Sequence, residues 1–94
     1  MPTYILLSTL TDEGAKTLKE NPKRLQEVNK EIEKFGAKVT GQFAVLGPYD
    51  FVSIVDAPDN ETIARISAEL HARGSVRILS LPGIPVANCV RSLK

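Results

Sequence analysis

The run Thr3-Tyr4-Ile5-Leu6-Leu7-Ser8-Thr9-Leu10 limits the fold more than any other part of this chain. It is rich in β-branched and bulky apolar residues and ends at the polar Thr11-Asp12-Glu13-Gly14, so it reads as a strand. Side chains alternate along a strand, which puts Ile5 and Leu7 on one face and Tyr4 and Leu6 on the other. Neither face suits water. Phe51 to Ala57 repeats the pattern, with Val52 and Ile54 opposing Phe51 and Val55. A sheet built from these strands has two apolar faces, and each needs a cover.

The remaining elements follow from periodicity and punctuation. Ala15 to Lys19 allows a short helical turn, and Asn21-Pro22 supplies a cap followed by proline at the first position of a longer helix. Leu25, Val28, Ile32 and Phe35 form its apolar stripe, and Gly36 stands where a left-handed C-terminal cap belongs. Lys38 to Leu46 and Phe51 to Ala57 read as strands two and three, a hairpin turned by Gly47-Pro48-Tyr49-Asp50. Pro58-Asp59-Asn60 caps a second helix with Ile63, Ile66 and Leu70 on one face, stopped by Gly74. Ser75 to Leu81 reads as strand four, closed by Pro82-Gly83. From Pro85 to Lys94, Val86, Val90 and Leu93 share a helical face, which suggests a short terminal helix.

The order β-α-β-β-α-β predicts an α+β, ferredoxin-like fold, a four-stranded antiparallel sheet with strands one and three central and both helices on one face. The 94 residues fit a single domain spanning positions 1–94. A chain this short buries roughly 60 to 70% of the surface its unfolded state exposes, so a partner subunit would add stability. Two helices cover only one side of the apolar sheet. The same face of a second copy, related by a two-fold axis, is the simplest cover for the other and would make a dimeric α/β barrel.

Composition removes several alternatives. Twelve basic residues against eleven acidic give a net charge of +1, without the broad positive field that binding a phosphate backbone requires, so no nucleic-acid partner is expected. The apolar runs are short and no basic leader with an apolar core precedes them, so neither membrane insertion nor export is expected. Cys89 is the only cysteine, which rules out an internal disulfide and fits a reducing, cytoplasmic setting. His71 is the only histidine, so no metal site is expected. The glycines are isolated rather than grouped as a phosphate loop, and no cofactor is indicated.

Pro22-Lys23-Arg24-Leu25, Gly47-Pro48-Tyr49-Asp50, Asp56-Ala57-Pro58-Asp59 and Gly74-Ser75-Val76-Arg77 occur in an order that resembles the GYD domain family. The glycine, tyrosine and aspartate of the family's name would correspond to Gly47, Tyr49 and Asp50, with Pro48 interposed. The resemblance implies membership of the dimeric α/β-barrel superfamily and therefore oligomers, but no set reaction. The arrangement is also similar to the amino-acid-sensing domains of leucine-responsive regulators, which bind effectors between subunits. No DNA-binding region accompanies it here.

The candidate ligand-binding residues are Tyr49, Asp50, Gly47 and Tyr4, because a carboxylate and phenols beside a glycine turn can hold a polar ligand or move protons. The simpler alternative is that Asp50 bonds backbone amides in its own turn while Tyr49 packs at a subunit boundary. His71 fits a solvated helix face, and Cys89 has no activating base beside it. No catalytic set is recognisable. The expected function is an oligomeric binding or regulatory module for a small molecule. The alternatives are a cofactor-independent oxygenase or isomerase using Tyr4, Tyr49, Asp50 or His71 in an apolar pocket between helices and sheet, and a purely structural assembly subunit.

Overall fold

A computed structural model describes residues 1–94. The elements are β1 (Thr3–Leu10), α1 (Asp12–Glu20), α2 (Arg24–Lys34), β2 (Lys38–Ala44), β3 (Phe51–Asp56), α3 (Asn60–Ala72), β4 (Val76–Gly83) and α4 (Val86–Ser92). The strands form one antiparallel sheet in the order β2-β3-β1-β4, which makes the two most apolar strands central, as expected of a ferredoxin-like α+β fold.

One face of the sheet is covered. Tyr4 and Leu6 of β1 and Val55 of β3 are buried there against Ile32 of α2 and Ile63, Ile66 and Leu70 of α3, with Val28 and Phe35 packed at the margin. These are the helix stripes read from the sequence. The other face has no helix on it. Register sets Ile5 opposite Ile54 and Leu81, and Leu7 opposite Val52 and Leu79, with Phe43 beside Val52. The central four of these are half-buried by their neighbours, while Phe43, Leu79 and Leu81 are 61%, 49% and 41% exposed.

Several local expectations change in the folded chain. The first helix is longer than the Ala15 to Lys19 turn, because Thr11 caps it: Thr11 Oγ1 accepts the Gly14 N–H at 3.1 Å and donates to the Gly74 carbonyl at 2.8 Å. Gly14, read as strand-ending material, is buried inside α1, where a Cβ would lie 1.9 Å from the Ser75 carbonyl oxygen. Only a glycine lets α1 approach the start of β4 so closely. Asn21 does not cap α2: its N–H closes α1 on the Thr17 carbonyl at 2.8 Å, Pro22 lies in the intervening turn, and α2 begins at Arg24, which puts the cap position on Lys23. Finally, β2 stops at Ala44 rather than Leu46, since the Val45 N–H turns to the Asp50 carbonyl at 2.9 Å.

The last strand runs through Pro82-Gly83 instead of stopping before them. β4 is an edge strand, and its Ile78 N–H points outward to His71 Nε2 at 2.7 Å. Pro82 has the same parity as Ile78, so its missing N–H falls on the unpaired side, where proline costs no ladder bond. The terminal helix forms as anticipated, but none of its residues is buried. Its apolar side, Val86, Val90 and Leu93, faces outward together with Ile84.

Candidate functional site

Two concavities lie on the helix side of the sheet. The more enclosed, about 120 Å³, lies between the sheet and α1, α2 and the end of α3. Its walls are apolar: Leu6, Leu10, Leu25, Val28, Phe51 and Val76 among others. It exists because the core-facing pattern of the sheet fails locally. Along β1 the helix-facing positions are Tyr4, Leu6, Ser8 and Leu10, and along β3 they are Phe51, Ser53 and Val55, so a small serine replaces a bulky side chain on each central strand. Both serines line the cavity.

Ser53 is only 6% exposed, and a buried hydroxyl needs a partner. Gln42 of β2 provides it, donating from Nε2 to Ser53 Oγ at 3.0 Å, and Asn29 of α2 donates to Gln42 Oε1 at 2.8 Å. The result is a short amide and hydroxyl chain in an otherwise apolar wall. Arg24 and Arg73 also line the cavity and are bridged by Glu31, which accepts from Arg24 Nη1 at 3.2 Å and from Arg73 Nη2. Glu27 and Glu69 complete the cluster at 3.4 and 3.7 Å. The hydrogen bond from Arg73 holds the Glu31 carboxyl below the usual glutamate range, and Glu31 in turn raises the already high Arg73 pKa.

The second concavity is a shallower groove of about 270 Å³ between α3 and β4, lined by residues that include Tyr4, Asn60, Ser67 and Ser80. Tyr4 donates its phenolic hydrogen to Asn60 Oδ1 at 2.6 Å. The Ser80 hydroxyl is buried there without a partner.

The residues singled out from sequence occupy separate places. Tyr4 lines the second groove. Asp50 reaches across the sheet: its Oδ2 accepts the Leu10 N–H at 2.8 Å, while its own N–H donates to the Ser8 carbonyl, also at 2.8 Å. That pair of bonds closes the end of β1, so the Asp50 side chain serves a neighbouring strand, while its carbonyl alone bonds within its own turn. It also fixes two residues of the cavity wall, Leu10 bonded to it and Phe51 next to it in sequence. Gly47, at φ 117°, is exposed at the turn and Tyr49 is half-buried. His71 is exposed on α3 yet accepts from β4, and Cys89 is exposed on α4. Tyr4, Tyr49, Asp50 and His71 do not converge on the enclosed cavity. Ser8, Ser53, Gln42 and Asn29, which do line it, carried no signal beyond being polar at helix-facing positions.

No three His, Cys, Asp or Glu side chains cluster as metal ligands, and no helix is long and apolar enough to cross a membrane. Known proteins resemble the chain in fold, in sequence and in family. The crystal structure of TTHA0845 from Thermus thermophilus has a TM-score of 0.57 at 23% identity, over 90% of this chain and 95% of that one, a likeness of fold alone. A protein of Thermus thermophilus named glutamine synthetase and cystathionine beta-lyase binding protein is 56% identical over 95 residues, covering all of both chains. The sequence model of the GYD domain matches residues 4–91. With nearly its whole length so matched, the chain belongs to the GYD domain family.

Proposed function

We propose that this chain is an oligomeric docking module that binds metabolic enzymes of the kinds named for its relative, with its binding subject to a small molecule. The observation that carries the reading is the 56% identity, end to end, with a protein named for binding glutamine synthetase and cystathionine beta-lyase. The surface supports it. The apolar sheet face of Ile5, Leu7, Val52, Ile54, Phe43, Leu79 and Leu81 suits a second copy, as in a dimeric α/β barrel. The outward apolar side of α4 and the exposed Gly47-Pro48 turn with the half-buried Tyr49 beside it remain for a protein partner, so Gly47, Tyr49 and Asp50 are carried here as contact residues and Tyr4 as a groove residue. The oxygenase or isomerase reading is less favoured because the polar side chains it needs are dispersed.

Sedimentation velocity tests both parts. The purified chain at about 10 μM should sediment as a dimer or larger, since assembly follows mass action, and should co-sediment with glutamine synthetase or cystathionine beta-lyase from the same organism. Failure to co-sediment with either enzyme at tenfold higher concentration would sink the docking reading, and a monomer at every concentration would sink the oligomer.

A further inference from the structure

We infer that the enclosed cavity between the sheet and α1, α2 and α3 is a binding site for a small uncharged molecule, an aliphatic ketone, aldehyde or alcohol of about five or six non-hydrogen atoms. The inference deepens the small-molecule part of the proposed function and rests on that reading.

Three observations lead to it. The first is size and wall chemistry. An apolar cavity of about 150 Å³ admits a benzene molecule, so the 120 Å³ here admits a slightly smaller aliphatic body. A chain of this length has little core to spare. Leaving such a volume unfilled beneath its two central strands forfeits packing that a leucine or valine at position 8 or 53 would supply.

The second is hydrogen-bonding valence. A hole left by poor packing would be dry and apolar, but here Ser8, Ser53, Gln42 and Asn29 all reach the same space. Ser53 Oγ accepts from Gln42, which leaves its own hydrogen to donate, and Asn29 retains a second amide hydrogen after bonding Gln42. The wall therefore offers donors to a carbonyl or hydroxyl oxygen while the rest of the ligand rests on Leu6, Leu25, Val28 and Val76.

The third is charge. Arg24 and Arg73 are the only cationic residues of the lining, and they are matched by Glu27, Glu31 and Glu69 in one cluster. Glu31 bridges both guanidinium groups and compensates much of their charge, and Ser8, Ser53, Gln42 and Asn29 are all uncharged. A carboxylate entering the cavity would lose its hydration and find both guanidinium groups already held by Glu31. The site also lies on the face of the sheet opposite Ile5, Leu7 and Leu79, so covering that face with a second copy leaves it free.

The test uses the purified chain alone, so its outcome is separate from that of any enzyme-docking experiment. Nitrogen-15 amide NMR is titrated with 2-pentanone, with cyclopentane and with pentanoate at pH 7. The expected result is saturable shifts at Leu6, Ser8, Ser53 and Val28, with 2-pentanone bound at least tenfold more tightly than either comparator. Ser53→Ala with Ser8→Ala should reduce the preference for 2-pentanone over cyclopentane about tenfold without abolishing cyclopentane binding. Val28→Phe, which fills the cavity, should abolish both, and the alanine pair keeps the proposal falsifiable should that variant not fold. Equal binding of 2-pentanone and cyclopentane would mean a passive hole and overturn the proposal. So would tighter binding of pentanoate, shifts elsewhere only, or no saturable shift with any probe.

Discussion

The two faces of the sheet are made of similar residues and meet different fates. On one, Tyr4, Leu6 and Val55 are 3%, 3% and 0% exposed beneath α2 and α3. On the other, Ile5, Leu7, Val52 and Ile54 are shielded only by one another and by Phe43, Leu79 and Leu81 at the margins. Hydrophobicity alone does not bury a residue. What differs is whether the helical connections from β1 to β2 and from β3 to β4 lay a helix over it. The covered face then stabilises the subunit, and the open face contributes less to it.

Paired substitutions break this comparison most directly. Ile66→Ala, on the covered side at 1% exposure, should cost about 2–5 kcal/mol by lost transfer and cavity formation. Leu79→Lys, on the open side, should change the unfolding free energy of the dilute subunit by about 0.5 kcal/mol or less, while lowering its sedimentation coefficient wherever the wild type is assembled. Comparable losses in urea unfolding for both would show that the open face belongs to the subunit's own core.

A smaller effect is expected where the hairpin turn meets the end of β1. Asp50→Ala removes the acceptor of the Leu10 N–H and should cost about 1–3 kcal/mol, whereas Asp50→Asn keeps an acceptor oxygen and should cost about 1 kcal/mol or less. Thermal unfolding of the two variants checks the order. Equal losses would mean that the negative charge, not the hydrogen bond, is what the site uses.

The smallest effect is a pH dependence on the helix side. The Glu31 carboxyl is held below its ordinary range first by the hydrogen bond from Arg73 and then by the charges of Arg73 and Arg24. A lowered folded-state pKa contributes stability that is complete above the unfolded value, about 4.3, and fades as pH falls through the folded value. Asp59, lowered by the hydroxyl and N–H of Thr62, adds to the same acid limb. Urea midpoints of wild type and Glu31→Gln should therefore differ at pH 7 and draw together toward pH 3, with the Asp59 contribution common to both. A gap that is the same at both pH values would remove Glu31 from this account.

Much of the fold was legible in local pattern. The stripe of Leu25, Val28, Ile32 and Phe35, the stripe of Ile63, Ile66 and Leu70, and the glycine stops at Gly36 and Gly74 each depend on residues within one or two turns of each other, and each is realised, with φ of 92° and 75° at the two glycines. Where two local signals compete for one residue, local pattern does not decide between them. Asn21 is a suitable N-cap by type, but it ends α1, and α2 begins only at Arg24. Gly14 looked like loop material because nothing near it in sequence announces Ser75.

By itself the sequence determined the order of strands and helices, which side of each helix turns inward, and that both sides of the central strands are apolar, since all of these are set by spacings of two to four residues. Only the tertiary structure decided what those faces meet. The cavity gathers Ser8, Asn29, Gln42, Ser53 and Arg73 from five different elements or their ends, and Asp50 finds its partner at Leu10, forty residues earlier. Such encounters depend on strand register and helix placement, which follow from packing the whole chain at once. A serine at position 53 therefore signals nothing until the fold sets it beside Gln42, under a gap that its small side chain does not fill.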